Sequence, residues 1–169
     1  MTRTSTLTLA DGSVFAVRPI EAGDVERLRR MFDRLSPTTV YRRFFSPVVR
    51  PSNRMLLWLT NVDHDCREAL VALRGDEIVA VARYDGRAGS TEAEIAVTVE
   101  DAWQHRGLGL RLVRRLAAAA LDHGFEAFIA NMLAENRPAL GLVRKLSPDA
   151  SVKWDDGGYL ATVSLSRAS

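Results

Sequence analysis

Hydrophobic residues follow a strand pattern in some parts of the chain and a helical spacing in others, and each change of pattern marks a predicted boundary between elements. Short runs rich in β-branched and aliphatic residues predict strands, whereas apolar residues three and four positions apart predict helices. Asp-Gly and related pairs between several of the strand runs are typical of tight turns. The predicted strands are residues 6–9, 14–20, 69–73, 78–84, 92–99, 125–130, 152–154 and 159–165.

Residues typical of helix ends support the helical periods. Ser36 before Pro37 indicates an N-cap followed by a first helical residue, and Ser52 is a second N-cap candidate. Gly124 is typical of the glycine that follows a helix. The predicted helices are residues 22–35, 37–44, a piece after Ser52 that contains 55–59, 110–123 and 137–146, with a loop over 46–51.

The middle of the chain predicts a three-strand meander. The run 69–73 is apolar at every position and bounded by charges, so we expect a central strand that is buried on both faces. Turns over 75–77 and 86–90 then connect it to the next two strands. With helices before and after the meander, this order predicts an α/β (α+β) fold in one domain covering residues 1–169.

The segment Gln104-His105-Arg106-Gly107-Leu108-Gly109 lies between the last meander strand and the fourth helix. Its two glycines let a ligand approach the backbone without an intervening Cβ. The free N–H groups of a first helical turn, together with the helix dipole, favour an anion. The order of strand, glycine turn and helix therefore predicts a diphosphate-binding turn.

Residue types in this turn exclude two other glycine-rich motifs. A Walker loop needs Gly-Lys-Ser or Gly-Lys-Thr, which is absent, and the dinucleotide fingerprint needs a third glycine where Arg111 and Leu112 stand. A plain strand-to-helix turn without a ligand is the structural alternative.

Composition narrows the class of protein. A net charge of +2 and a hydrophobic content of 47% are those of an ordinary globular protein and do not by themselves indicate nucleic acid. Cys66 is the single cysteine and has no nucleophile motif around it, so we expect an inert thiol. The first six residues contain no apolar signal region, and no apolar stretch is long enough to cross a membrane. We therefore expect a cytoplasmic protein without a membrane partner.

With Gln104-x-x-Gly107-x-Gly109 after the third meander strand and Asn136 after the next strand, the chain resembles the GNAT superfamily of acyl-CoA-dependent N-acyltransferases. That family's signature is Gln/Arg-x-x-Gly-x-Gly/Ala, and the likeness extends from about Val14 to Leu165. It implies the GNAT fold, with a mixed and mostly antiparallel central sheet flanked by helices. It also implies acetyl-CoA as co-substrate and no metal.

The resemblance implies which residues contact CoA. Backbone N–H groups around Val97 and Val99 would stabilise the oxyanion or hold the pantetheine arm. In the family the strand 92–99 separates from the strand 125–130, and the acyl chain enters that gap. The implied CoA contacts are Val97, Val99, Gln104, His105, Arg106, Gly107, Leu108, Gly109, Leu110 and Asn136.

Glu94 is the predicted general base. A lysine amine has a pKa of about 10.4 and must lose a proton to attack a thioester, and a nearby carboxylate can accept that proton directly or through a water. Glu92, Glu94, Ala96 and Thr98 share one face of their strand. The family often places its catalytic glutamate on this strand, and Glu94 matches that position. Glu92 is the second candidate, and an exposed carboxylate without a role is the alternative.

The chain departs from the family where the leaving thiolate is protonated. Many relatives have a tyrosine at the position of Val143, and Ser147-Pro148 replaces a common Gly-Phe pair. A thiol with a pKa of about 8.5 can also leave unprotonated. The alternatives are a substitute from Tyr41, Tyr84 and Tyr159, or a non-catalytic acyl-CoA-binding module.

Arginines and histidines are further candidates. Arg106, Arg111 and Arg114 could contact CoA phosphates, with a solvated helix face as the alternative for Arg111 and Arg114. Arg111, Arg114 and Arg115 would carry nucleic-acid binding, which the lack of interleaved aromatic residues disfavours. The three histidines lack the spacing of zinc ligands.

The segment Tyr41-Arg42-Arg43-Phe44-Phe45-Ser46, with Asp63-His64-Asp65 downstream, resembles the bacterial protein-lysine acetyltransferase branch. This implies a protein lysine as acceptor, with a small-molecule amine as the alternative. Arg42, Arg43 and Arg50 could favour an acidic acceptor. The regulatory and synthetase-like modules of that branch would not fit in 169 residues, so we expect a stand-alone catalytic domain. Assembly as a homodimer stays open.

Overall fold

The computed structural model describes residues 4–47 and 50–166. Its strands are β1 (Ser5–Thr8), β2 (Val14–Pro19), β3 (Arg67–Arg74), β4 (Glu77–Gly86), β5 (Glu92–Val99), β6 (Ala127–Leu133), β7 (Ser151–Asp155) and β8 (Gly158–Ser164). They form one sheet in the order β1-β2-β3-β4-β5-β6-β8-β7. Neighbours are antiparallel apart from β5 and β6, which are parallel. The predicted mixed, mostly antiparallel sheet is confirmed.

Five helices of the described residues cover the two faces of the sheet. They are α1 (Val25–Arg34), α2 (Pro37–Phe44), α3 (Asn53–Thr60), α4 (Leu108–Asp122) and α5 (Arg137–Leu146). Ser36 and Ser52 cap α2 and α3 as predicted, since each side chain accepts a hydrogen bond from the backbone three residues later. Positions 1–3 of the N-terminal segment and 48–49 of the predicted loop lie outside the described residues. Within the described part, no helix is long and apolar enough to cross a membrane.

The sheet separates two hydrophobic cores. In β3, Leu70 and Ala72 belong to the core under α4 and α5, whereas Ala69, Val71 and Leu73 belong to the core under α1, α2 and α3. Burial on both faces confirms the interpretation of this run as a central strand.

Two predicted boundaries near α4 are wrong. The helix begins at Leu108 and not at Leu110, because its first backbone hydrogen bond runs from Arg111 N–H to Gly107 O, at 3.1 Å. The strand predicted over 125–130 is β6 over Ala127–Leu133. Phe125 N–H donates to Ala120 O at 3.0 Å and so completes the end of α4 instead of joining the sheet.

Ion pairs anchor α1 and the turn before it on the sheet. Both Nη atoms of Arg18 donate to the Asp24 carboxylate at 2.7 Å. Burial by itself would raise the pKa of Asp24, but the hydrogen bonds from Arg18 hold that pKa below its usual value. At the other end of α1, Arg34 donates to Glu100 at 3.1 Å, so the helix is tied to the chain just after β5.

Candidate active site

Strands β5 and β6 pair at one end and separate at the other. Their register runs from Glu92–Ala127 to Glu94–Ile129 and ends there, although β5 stays paired with β4 and β6 stays paired with β8. A pocket of about 580 Å³ occupies the gap, bounded by β5, β6, α2, α5 and the start of α4. The predicted separation of these two strands is therefore present.

Edge groups of β5 face this gap. Glu100 N–H donates to Val79 O of β4 at 2.8 Å, and backbone polar groups alternate in direction along an antiparallel strand. The N–H and C=O groups of Ile95, Val97 and Val99 therefore point away from β4, towards the gap. Val99 O is already bound by a side chain described below, which leaves the peptide groups of Val97 open to a ligand.

The glycine turn presents backbone amides to the same pocket. Gly107 has φ 85°, a left-handed conformation that glycine adopts without strain, and it is the N-cap of α4. The N–H groups of Leu108, Gly109 and Leu110 precede the first helical hydrogen bond and have no helical acceptor. All four residues line the pocket, so the geometry of the turn is that of a candidate anion site.

The first turn of α4 packs beside β5 and α5 at Gly109. A Cβ at this position would lie 3.4 Å from side-chain carbons of Val99 and Leu142, and 3.7 Å from Val97. These are ordinary van der Waals distances, so an alanine would also fit here, and α4, β5 and α5 meet at the pocket wall around position 109.

Gln104 holds the turn in place through its side chain. Its Nε2 donates to Val99 O at 2.9 Å and to Thr39 Oγ1 at 3.0 Å. Thr39 Oγ1 in turn donates to Asp101 at 2.9 Å, and Ser36 of the same helix also bonds that carboxylate. Partial burial alone would raise the pKa of Asp101, but these hydrogen bonds lower it. The predicted contact residue Gln104 therefore links α2, β5 and the turn.

The next two residues of the turn differ in orientation. His105 is exposed at φ 59° and lines the pocket. Arg106 is directed towards the β1–β2 hairpin, where it donates to Asp11 at 3.2 Å and lies over the ring of Trp103. Arg106 is not among the described residues that line the pocket.

Glu94 stands where the two strands part. It is exposed, lines the pocket and pairs in register with Asp85 on β4 and with Ile129 on β6. Glu92 is also exposed on the same strand face, but it lies in the paired segment and is not among the described residues that line the pocket. The structure therefore places Glu94, and not Glu92, at the opening.

A family model described as "Acetyltransferase (GNAT) family" matches residues 28–147, and these residues carry the glycine turn, β5 and β6. The chain belongs to the GNAT acetyltransferase family. The predicted family, fold and enzyme class are confirmed, because the match covers most of the chain and relatives named as acetyltransferases accompany it.

Three relatives of this GNAT acetyltransferase are similar over most of its length. An acetyltransferase of Pseudomonas aeruginosa is 33% identical over 86% of this chain and 83% of its own. Acetyltransferase Pat of Mycolicibacterium smegmatis is 34% identical over 89% of this chain, which spans only 45% of that protein. The crystal structure of the GNAT domain of S. lividans PAT superposes with a TM-score of 0.90 at 31% identity, covering 96% of this chain and 97% of that one.

A more distant structure shares the fold alone. The PaiA N-acetyltransferase from Thermoplasma acidophilum, solved in complex with coenzyme A, superposes with a TM-score of 0.73 at 15% identity. It covers 89% of this chain and 98% of its own.

Helix α5 forms another wall of the pocket of this GNAT domain. Asn136 is its N-cap, accepts from Ala139 N–H at 3.2 Å and lines the pocket. Val143 is buried in the pocket wall, so no hydroxyl projects from this position.

None of the three tyrosines, all of which lie in the described chain, lines the pocket. Tyr84 is buried, and its hydroxyl bonds Asp65 O and His123 Nδ1, each at 2.7 Å. Burial, together with nearby carboxylates, raises the pKa of Tyr84 well above its usual range. Tyr41 is exposed on α2, and Tyr159 lies against Trp154. The structure supplies no tyrosine substitute at the pocket.

Other charged candidates have structural partners elsewhere. Arg111 donates to Thr8 O at 3.1 Å, and Arg115 donates to Ser5 Oγ and Thr6 O at 2.6 and 2.8 Å, so both fasten β1 to α4. Burial and nearby aspartates raise the pKa of the Cys66 thiol, which disfavours the reactive thiolate.

Several pocket residues were not predicted as contacts. Thr39, Asn131 and Lys145 all line it. Thr39 is buried despite its polar side chain, and burial is decided by tertiary packing that the local sequence does not report.

Proposed function

We propose that this GNAT domain transfers the acetyl group of acetyl-CoA to a lysine side chain of a protein, with Glu94 as general base. The observation that carries the proposal is the position of Glu94 at the last residue of β5 that pairs with β6, where the gap between β5 and β6 opens. A base there stands beside the point at which an acyl chain in the gap would meet an amine arriving from the α2 side.

The first chemical step is deprotonation of the acceptor. The Glu94 carboxylate accepts a proton from the amine, directly or through one water, and the amine nitrogen then bonds to the thioester carbon. The opening is exposed to solvent at Glu94, so an acceptor on the surface of another protein can reach it.

The second step is breakdown of the tetrahedral intermediate. Val97 N–H points into the gap and has no strand partner on that side, so it can donate to the developing oxyanion. The C=O bond then re-forms as the C–S bond breaks, the electron pair stays on sulfur, and the nitrogen loses its second proton to solvent to give the amide. With Val143 in place of a hydroxyl donor, the sulfur leaves as a thiolate and takes its proton from solvent, which a thiol pKa of about 8.5 permits.

Acetyl-CoA is supported as donor by the anion site and by the fold. The free amides of Leu108, Gly109 and Leu110 suit a diphosphate, and Asn136 lines the same pocket. The T. acidophilum protein of the same fold was solved with coenzyme A. A lysine acceptor is supported by the 34% identity to Pat and the structural likeness to the GNAT domain of S. lividans PAT.

The test measures thiol release from acetyl-CoA with lysine peptides as acceptors. Glu94→Gln keeps the shape and removes the base, so we expect kcat/KM to fall about 10²- to 10⁴-fold. Binding of acetyl-CoA, measured by calorimetry, should stay close to that of the wild type, which would show that the variant is folded.

Glu92→Gln is the matched control, since Glu92 lies two residues earlier on the same strand face and outside the pocket lining. We expect it to retain most of the activity. Unchanged turnover in Glu94→Gln would remove Glu94 as the base. Turnover with small amines, and none with any lysine peptide, would overturn the protein acceptor.

A further inference from the structure

Arginine side chains line the α2 side of the pocket, next to Glu94. Arg42 and Arg43 come from the last turn of α2, and both line the pocket. Arg83 lies behind them on β4, within a stretch, 78–84, in which every residue is buried. An arginine inside such a strand needs an explanation, because a buried charge is costly unless it is paired.

Arg83 is held rigidly but is not fully bonded. Its side chain is only 4% exposed, its Nε donates to Asp85 at 3.2 Å, and its Nη1 donates to Leu59 O at 3.2 Å. The guanidinium also lies 4.9 Å from the Trp58 ring. Its Nη2 is buried and has no hydrogen-bond partner among residues 4–47 and 50–166. One donor of Arg83 is therefore free inside the protein.

Arg42 and Arg43 are less satisfied still. Arg42 Nε is buried without a partner, and neither arginine forms an ion pair with a carboxylate in the described chain. Arg43 lies over the ring of Phe44, at 4.9 Å. Burial and the neighbouring Arg83 lower the pKa of Arg43, so its charge is destabilised where it lies.

Nearby carboxylates do not neutralise this group. Asp85 is already shared by Arg67 and Arg83, at 2.7 and 3.2 Å. Glu94 forms no ion pair with Arg43 in the described chain and affects the pKa of Arg43 only through its nearby negative charge. A second cavity, of about 20 Å³, is lined by Arg43 and Arg83 among mostly apolar residues and has room for about one water molecule. Cationic donors thus remain unfilled on the acceptor side of the pocket.

We propose that Arg43, assisted by Arg42, binds a carboxylate of the acceptor, so that the preferred lysine is one flanked by Asp or Glu. The inference rests on the proposed lysine acetyltransferase function. A guanidinium binds a carboxylate through parallel N–H donors, and such a bond is stronger at a partly buried site than in water. The acidic flank would fill the unpaired donors while the lysine amine reaches Glu94.

The experiment compares two peptides that differ only beside the lysine, with Asp and Glu in one and Ala in the other. For the wild type we expect kcat/KM to favour the acidic peptide about tenfold to a hundredfold. Arg43→Gln should bring that ratio close to one, and Arg42→Gln should lower it by less. Arg43→Glu should reverse the preference, in favour of a peptide with Arg beside the lysine.

Arg87→Gln is the control, because Arg87 is exposed in the β4–β5 turn and makes no ion pair with the described residues. It should keep the wild-type ratio. Calorimetry of each peptide with the CoA-bound protein gives the same comparison without turnover. Melting curves show that each variant is folded.

Equal kcat/KM values for the two peptides in the wild type would overturn the inference and leave the lysine acetyltransferase function standing. An equal loss of kcat on both peptides in Arg43→Gln would also overturn it, because Arg43 would then only position Glu94. If free glutamate is acetylated in an Arg43-dependent way and lysine peptides are not, the carboxylate site stands and the protein acceptor fails.

Discussion

Replacing Gly107 with alanine tests the backbone geometry on which the anion site depends. Gly107 has φ 85°, and a Cβ added there would meet no atom within 4 Å. Packing therefore contributes nothing, and the change measures only the cost of a left-handed alanine, about 1–2 kcal/mol. Because alanine also restricts the unfolded chain, we expect a net loss of about 1 kcal/mol in the free energy of unfolding.

Gly141→Ala is the matched substitution with the opposite expected sign. Gly141 lies inside α5, and a Cβ there would also meet no atom within 4 Å. Alanine in a helix interior is more stable than glycine by about 0.5–1 kcal/mol. The same chemical change should therefore destabilise the protein at position 107 and stabilise it at position 141.

Urea unfolding followed by circular dichroism, without ligand, measures both variants. In thermal unfolding of a protein of this size, a change of about 1 kcal/mol in the free energy of unfolding corresponds to a shift of about 2–4 °C in Tm, downward for Gly107→Ala and upward for Gly141→Ala. Gly107→Asn should cost less than Gly107→Ala, since asparagine tolerates the left-handed region better. A Gly107→Ala protein as stable as the wild type would refute the left-handed N-cap and the amide geometry derived from it.

Three further perturbations test other parts of the fold. The pKa of Asp24 is lowered in the folded state, so its contribution to stability should be constant above the usual carboxyl pKa of 3.8 and be lost as pH drops below that value. In urea unfolding, Asp24→Asn should therefore lose less stability than the wild type between neutral and low pH. At pH 7 the variant should be less stable by about 3–5 kcal/mol, because Arg18 loses its partner. Gly86→Ala would place a Cβ 2.3 Å from the Phe125 ring and should cost about 1–3 kcal/mol in the same assay, with Phe125→Leu recovering part of the loss. Gln104→Leu removes two hydrogen bonds from the glycine turn and should weaken acetyl-CoA binding in calorimetry, with about 1–3 kcal/mol lost in stability.

Much of this fold can be predicted from the sequence because the features that define its elements involve residues that are close together in the chain. Strand runs, helix faces and the caps Ser36 and Ser52 depend on residues a few positions apart, and the structure has them close to where they were predicted. The main boundary error, at Phe125, arose because a hydrophobic residue after a helix-ending glycine can either begin a strand or complete the helix cap. The hydrogen bond from Phe125 N–H to Ala120 O shows that Phe125 completes the helix cap, and a hydrophobic pattern does not reveal this bond.

Some features of the candidate site can likewise be predicted from the sequence, and others cannot. The glycine turn and the strand face carrying Glu94 are readable from spacing, because both depend on backbone conformation within one segment. The direction in which an arginine side chain points cannot be predicted from spacing. Arg106 contacts Asp11 and Arg115 contacts β1, and these partners lie about a hundred residues away in sequence. The tyrosines could be excluded from the pocket only once their burial and partners were known.

The sequence by itself determined the order of elements, the glycine turn before α4 and the carboxylate on the strand before it. Each of these follows from the period of the side chains and from glycine at positions 107 and 109. Tertiary structure decided where β5 parts from β6, and so which carboxylate stands at the opening. It also decided that Arg43 has no carboxylate partner in the described part of the chain, since strand separation and charge pairing depend on elements that only the folded chain brings together.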